Sequence, residues 1–524
     1  MKKNKFNKKN KIIPQCCPRG KKDSVLSDGI SRRDFLNRVG AAALASSAFG
    51  KLSWSNMSSV VDRNQRDLSR TSLVVQPVFT FSIPKPRPQR SWRAWGGIQT
   101  IQDAEKEKAR IRKELADIKA SSDFPLNIKP IIGIRKKEEV SKLNRSSDVD
   151  VFLIYAAGGW LDIFDAIHEF GKNMIFFCRH RSGPVYLWYE IISPRYLRQH
   201  TDRLSVKGIT YEDVIIDDHK DILWRLRSLC GLKNALNTRI LAVGGPGAWS
   251  QPKGVVPHLV KKIWGYDIRT VTYEELGPLI REARADRKEV QKAKCRADIY
   301  LQDSLVKLET KRGFVERAFL LEQVFKRLMD KFKCPSVTIK GCMGTIMPLA
   351  ETSACLTLSL LNDSGYLAFC ESDFVVIPSG VLLSNISGKP VFLNDPTFPH
   401  DGVITLAHCT APRKMDGKTK EPVRILTHFE SDYGAAPKVE MKKGQDLTNI
   451  IPDFESKNWF GLPGKVLNSP FMDICRSQID VGFDCPSSLL AKKMKGFHWM
   501  TGYGNYFREI GYALRRVGIQ WEVL

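Results

Sequence analysis

Three stretches in the last third of the chain place polar residues where a packed strand would have no use for them. The first is Phe369-Cys370-Glu371-Ser372-Asp373. The second is Asn394-Asp395, followed by His400, Asp401 and His408-Cys409-Thr410, and the third is Phe497-His498-Trp499 inside the glycine-bounded segment 496–504. Each alone has an ordinary structural explanation, since a carboxylate at a strand end usually caps or is solvated and a histidine among aromatics is usually a satisfied core residue. Together they offer carboxylates and imidazoles, an oxygen-rich donor set with a nitrogen contribution that suits Mn²⁺ or Mg²⁺. The twelve cysteines contain no Cys-x-x-Cys pair, which speaks against a structural zinc site and against a disulfide framework. They read mainly as reduced, buried residues.

The elements that must position these residues follow from the hydrophobic pattern. From residue 336 onward short strand-like runs punctuated by Pro and Gly (375–378, 391–393, 403–406, 423–429 and 438–441) predict a β-rich mixed domain, closed by a helix over 506–517 and a strand over 519–523. Upstream, apolar runs over 149–155, 174–178 and 239–243 alternate with helical segments such as 219–232, the pattern of parallel sheets covered by helices. Thr272 and Glu275 form a capping box for a following helix. Gly244-Gly245-Pro246-Gly247 follows a strand but lacks the Gly-x-Gly-x-x-Gly spacing, so it reads as a tight turn rather than a dinucleotide loop. Five segments result: a leader over 1–55, a Pro-rich linker with a charged helix over 56–125, α/β domains over 126–238 and 239–335, and a carboxy-terminal domain over 336–524.

At 524 residues and 43% hydrophobic content the chain is neither a disordered protein nor a small disulfide scaffold. No stretch approaches the length of a membrane-spanning helix. The net charge of +26 is partly local, because residues 1–38 hold twelve Lys and Arg against three Asp. Net charge alone is a weak argument for nucleic acid, and no nucleic-acid partner is expected. Arg32-Arg33, with Phe35-Leu36 and a weakly apolar, small-residue stretch after them, is similar to a twin-arginine signal. It implies export of the folded chain by the twin-arginine machinery, to the periplasm or beyond, whether the leader is cleaved or kept as an anchor.

The carboxy-terminal motifs resemble those of the L-fucose isomerase and L-arabinose isomerase group of ketol isomerases, especially its shorter fucose-isomerase-like branch. The resemblance is carried by Cys370-Glu371-Ser372-Asp373, Asp395 at 24 residues beyond Glu371, Leu406-Ala407-His408-Cys409-Thr410, Thr427 to Glu430, Cys475-Arg476-Ser477-Gln478 and the segment from His498 to Gly504. It implies Rossmann-like parallel-sheet domains followed by a catalytic domain of the fucose isomerase type. Glu371, Asp395 and His498 would then bind Mn²⁺, or Mg²⁺ or Co²⁺ in its place, with His408 and Arg476 nearby as substrate or supporting contacts. The substrate would be a monosaccharide, interconverted between aldose and ketose through a cis-enediol, with Glu371 as base and Asp395 as its partner acid. An oligomer, commonly a trimer or hexamer, is implied as well, and the family's usual compartment is the cytoplasm.

Two departures from the family pattern stand out. After Lys340 the chain reads Gly341-Cys342-Met343-Gly344-Thr345 where relatives often carry an acid, the next being Glu351, and it has His498-Trp499 where relatives often show a His pair. Trp499 is therefore expected to offer a stacking surface for a sugar ring. The rival reading is an exported, non-catalytic carbohydrate-binding protein on the same scaffold, and convergence of Glu371, Asp395 and His498 on one point would favour catalysis.

Overall fold

The computed structural model describes residues 70–524, apart from 94–96, 146–147, 187–189, 250 and 253. The leader, with Arg32 and Arg33, lies outside the described residues. Among the described residues no helix is long and apolar enough to cross a membrane. The architecture is mixed α/β, with two parallel sheets and a separate antiparallel barrel.

The first parallel sheet comprises β1 (Leu73–Thr80), β2 (Leu126–Ile128), β3 (Ile132–Ile134), β4 (Val151–Ala156), β5 (Asn173–Cys178) and β6 (Val214–Ile216). Its strand β1 corrects the expectation of a linker over 56–125. Pro77 makes the run look unlike a strand, since a proline removes a ladder donor. Here β1 pairs with β2 at Leu73 to Val75 and with β3 at Val78 to Thr80, so Pro77 falls in the gap between two partners. Gln76 bridges that gap by donating from Nε2 to the Pro130 carbonyl at 2.8 Å. The charged helix α1 (Ile101–Ala120) buries Ile111, Leu115 and Ile118 as its spacing predicts, but it also buries Glu107, paired with the fully buried Arg179.

The second sheet is β7 (Arg239–Val243), β8 (Asp267–Val271), β10 (Ser336–Ile339) and β11 (Leu367–Phe369), all parallel, in the order β11-β10-β7-β8. The boundary expected between 335 and 336 therefore does not separate two sheets, because half of this one comes from each side. The capping box at Thr272 and Glu275 starts helix α2 (Tyr273–Ala285) as expected. Residues 375–378, expected as a strand, instead lead into helix α3 (Ile377–Ser387), which is buried on all sides, its Ser379, Ser384 and Asn385 included.

The remaining large sheet runs β16 (Asp446–Ile451), β19 (Trp499–Tyr503), β12 (Phe392–Pro396), β13 (Val403–His408), β18 (Ser477–Gly482) and β17 (Asn458–Asn468), and β17 pairs back with β16 to close the barrel. Strand β20 (Gln520–Val523) adds to β17, and β9 (Val306–Leu308), β14 (Val423–His428) and β15 (Tyr433–Val439) form a small sheet beside the barrel. Phe392, Leu406, Phe460, Ile479, Trp499 and Tyr503 belong to one buried apolar cluster with the helices that cover the second sheet.

Candidate metal centre

The carboxyl ends of β7, β10 and β11 lie along one edge of the second sheet, where parallel sheets most often bind ligands. The chain leaving β11 turns through Glu371 (φ 63°) and Ser372 (φ 52°), two consecutive non-glycine residues in the left-handed region. Such a conformation costs about 1–3 kcal/mol per residue and persists only where surroundings enforce it. The Gly244–Gly247 turn does so: Ser372 Oγ donates to the Gly245 carbonyl at 2.8 Å, and Phe374 N donates to the Gly247 carbonyl at 3.1 Å. Gly244 and Gly245 supply the positive φ this tight turn needs (77° and 88°), as its sequence suggested.

The other donors come from neighbouring barrel strands. The register Asn394↔Trp499 between β12 and β19 sets Asp395 across from His498, and Asp395↔Ala407 brings up the end of β13 with His408. His498 Nε2 lies 3.3 Å from Glu371 Oε2 and 3.2 Å from Asp395 Oδ1, and His408 Nε2 lies 3.6 Å from Glu371 Oε1. The structure thus brings Glu371, Asp395, His498 and His408 together. Their imidazoles are buried, while the side chains of Glu371 and Asp395 keep 32% and 35% of their exposure, so the carboxylates line the mouth.

Glu371 Oε2, Asp395 Oδ1, His408 Nε2 and His498 Nε2 are all buried without an aligned hydrogen bond. A buried polar atom left unpaired costs about 1–3 kcal/mol. Four of them facing one another would be answered together by a divalent cation, and two oxygens with two imidazole nitrogens are a donor set compatible with a hard-to-borderline metal such as Mn²⁺. The donor set therefore fits the implied ion.

Asp373 received no role from its sequence position. It is fully buried, and its Oδ2 lies 2.7 Å from His498 Nδ1, which fixes the ring and leaves Nε2 for a metal. The signal was the Glu-x-Asp spacing, which places both carboxylates near one site only because the residue between them is left-handed. Burial disfavours a charged His498, yet the Asp373 hydrogen bond, then Glu371 and Asp395, push its pKa up to about 10. A cation bound at Nε2 would compete with that proton. The two mouth carboxyls are driven apart: burial opposes ionisation of both, but the His408 and His498 imidazoles beside it hold Glu371 well below the usual range, whereas burial prevails at Asp395 and raises it.

One expected contact is corrected. Trp499 is 1% exposed and packs in the core, so it offers no stacking surface. The reason is strand alternation: with His498 directed to the cleft, its successor points to the opposite face. The exposed aromatic surface is instead Trp249 stacked on Phe497, with centroids 4.7 Å apart and an interplanar angle of 10°, and Phe497 lies 4.9 Å from the His498 ring. Neither was singled out, although Trp249 follows the glycine turn and Phe497 precedes the histidine. Arg476 is turned toward Thr427, donating to its carbonyl at 2.7 Å and its Oγ1 at 3.3 Å, with the guanidinium over Phe429. His400 and Asp401 form the turn between β12 and β13. Glu351 pairs with Arg284, so it does not replace the acid missing after Lys340.

No model of a known protein family matches the chain, and no curated protein matches it.

Proposed function

We propose that the protein is a metal-dependent aldose–ketose isomerase with a catalytic domain of the fucose isomerase type. The observation that carries this reading is the convergence of four buried, unpartnered donor atoms, from Glu371, Asp395, His408 and His498, at the carboxyl edge of a parallel sheet. Glu371, Asp395 and His498 would hold the cation, with His408 beside them. When bound, the cation supplies Lewis-acid polarisation of the sugar oxygens O1 and O2.

The chain's own residues supply the proton transfer. Glu371, kept ionised by its imidazole neighbours, takes the proton from one of the two adjacent carbons and returns it to the other. Asp395, beside the same oxygens, is the carboxyl placed to exchange a proton with the sugar oxygen. Asp373 keeps His498 fixed throughout. The stacked faces of Trp249 and Phe497 at the rim suit the apolar side of a sugar ring.

The test is Mn²⁺-dependent interconversion of a panel of aldoses and ketoses, with Glu371→Gln as the control. Turnover that requires both the metal and Glu371 supports the isomerase. Stoichiometric Mn²⁺ binding and sugar binding without turnover of any sugar would replace it with the carbohydrate-binding reading.

A further inference from the structure

His408 and Cys409 are consecutive, and the two go to different clusters. Cys409 meets Cys355 and His428, and the three ligand-capable atoms all lie within 4.8 Å of one another. These residues are buried at 2%, 5% and 8% exposure. Cys475, half-buried, packs against the same group. All three cysteines are free thiols. They arrive from four separate places: Cys355 opens the helix Cys355–Asp363, Cys409 follows β13, His428 ends β14 and Cys475 precedes β18.

The geometry points to a second metal site, for a thiophilic divalent cation of the zinc class, held by Cys355, Cys409 and His428 with Cys475 as fourth ligand. Three sulfurs and one imidazole nitrogen make one of the closed tetrahedral sets that zinc prefers. The supporting groups are also in place. The backbone N–H of Arg476 donates to Cys409 Sγ at 3.4 Å, the kind of contact that stabilises a thiolate. His428 Nδ1 is held by Ser431 Oγ at 3.1 Å, which leaves Nε2, 3.9 Å from Glu430 Oε2, as the nitrogen for a metal. Cys355 occupies the first turn of its helix, where the helix dipole favours a sulfur anion. On binding, each thiol gives its proton to solvent as its sulfur–metal bond forms. The ion would tie the small β14 sheet and the Cys355–Asp363 helix to the barrel, one residue away from His408. Local Cys spacing argues against zinc because the four ligands are spread from 355 to 475 and only the fold assembles them.

The experiment is Co²⁺ titration of the reduced full chain, with zinc stoichiometry measured by elemental analysis. We expect a sulfur-to-cobalt charge-transfer band with the visible bands of tetrahedral cobalt, displaced by Zn²⁺ and kept in Cys370→Ser, which removes the one thiol that lies beside Glu371 and His408 among the described residues. Cys409→Ser should lose the band and about one equivalent of zinc, whereas Glu371→Gln should keep both. Cys475→Ser, at a half-buried position that leaves the core intact, should shift the band and weaken zinc binding about tenfold. The proposal is overturned if the reduced chain gives no such band, if the band survives in Cys409→Ser, or if zinc binding disappears with Glu371→Gln alone. Because the carboxylate centre is read by Mn²⁺ binding and sugar turnover, failure of either site is distinguishable from failure of the other.

Discussion

Two donor clusters of opposite character sit on either side of the His408-Cys409 peptide. One is built of carboxylates and imidazoles, opens to solvent through Glu371 and Asp395, and stands at the carboxyl edge of a parallel sheet. The other is built of thiols and one imidazole and is enclosed. On the proposed reading, openness separates the roles. A catalytic ion needs a face left for substrate, while an ion that only ties elements together is best surrounded. Donor hardness separates the ions, since oxygen favours Mn²⁺ or Mg²⁺ and thiolate favours zinc.

The largest effect that would sharpen this contrast comes from Glu371→Gln. It removes a ligand charge and the base together, so turnover should fall by about 10²- to 10⁴-fold while the thiolate–cobalt band stays unchanged. Turnover within a few-fold of the parent would break the assignment of the open site.

Asp373→Asn should come next. His498 loses both its orientation and the push that retains its proton, so the pH dependence of Mn²⁺ affinity should flatten and affinity at alkaline pH should drop by about 10- to 100-fold. A purely structural role would lower stability without altering that pH profile. The profile is measured by Mn²⁺ titration followed by electron paramagnetic resonance.

Trp249→Ala removes half of an exposed stacking surface beside the open site. Such a face is worth about 0.5–1.5 kcal/mol, so KM for the sugar should rise by about 2- to 10-fold with kcat nearly unchanged. The same substitution at Trp499, in the core, should instead destabilise the fold, by about 3–5 kcal/mol.

The smallest effect concerns Glu421, a half-buried carboxyl with no cationic side chain paired to it among the described residues. Its Oε2 is unpartnered, and burial raises its pKa from 4.5 to about 7 despite hydrogen bonds from Tyr503 and Lys442. Because the folded value lies above the unfolded one, its stabilising contribution is full below 4.5 and is lost as pH rises to about 7. Glu421→Gln should therefore leave the melting temperature unchanged near about pH 4 and raise it by about 1 °C near about pH 8. Calorimetry at the two pH values checks it. Where Glu371 faces imidazoles, the same burial ends in an anion; here it ends in a proton.

Much of the scaffold was legible residue by residue. The runs that became β4, β5 and β7 carry the continuous apolar character of buried parallel strands, and Thr272 with Glu275 capped the helix their spacing promised. Strand β1 was hidden by the Ser-, Arg-, Pro- and Gln-rich composition around it, with Pro84, Pro86 and Pro88 close behind, although Pro77 within it costs nothing where no neighbour would accept its N–H. Residues 375–378 were apolar enough for strand or buried helix, and periodicity cannot separate the two in so short a run. At the site, the resemblance singled out Glu371, Asp395, His498 and His408, which the fold brings together. It misjudged Trp499, because a motif names residues without saying which face of a strand each will take.

The sequence by itself determined the donor chemistry, the alternation of apolar runs that builds parallel sheets, and the turn at Gly244–Gly247, because each depends on side-chain type or on backbone geometry within a few residues. Only the tertiary structure decided which donors meet. Register across β12, β13 and β19 put His498 opposite Asp395, and long-range packing gathered Cys355, Cys409, His428 and Cys475 from elements far apart in the chain. Distances between residues on different strands are set by pairing and burial over the whole fold, and no local spacing carries that information.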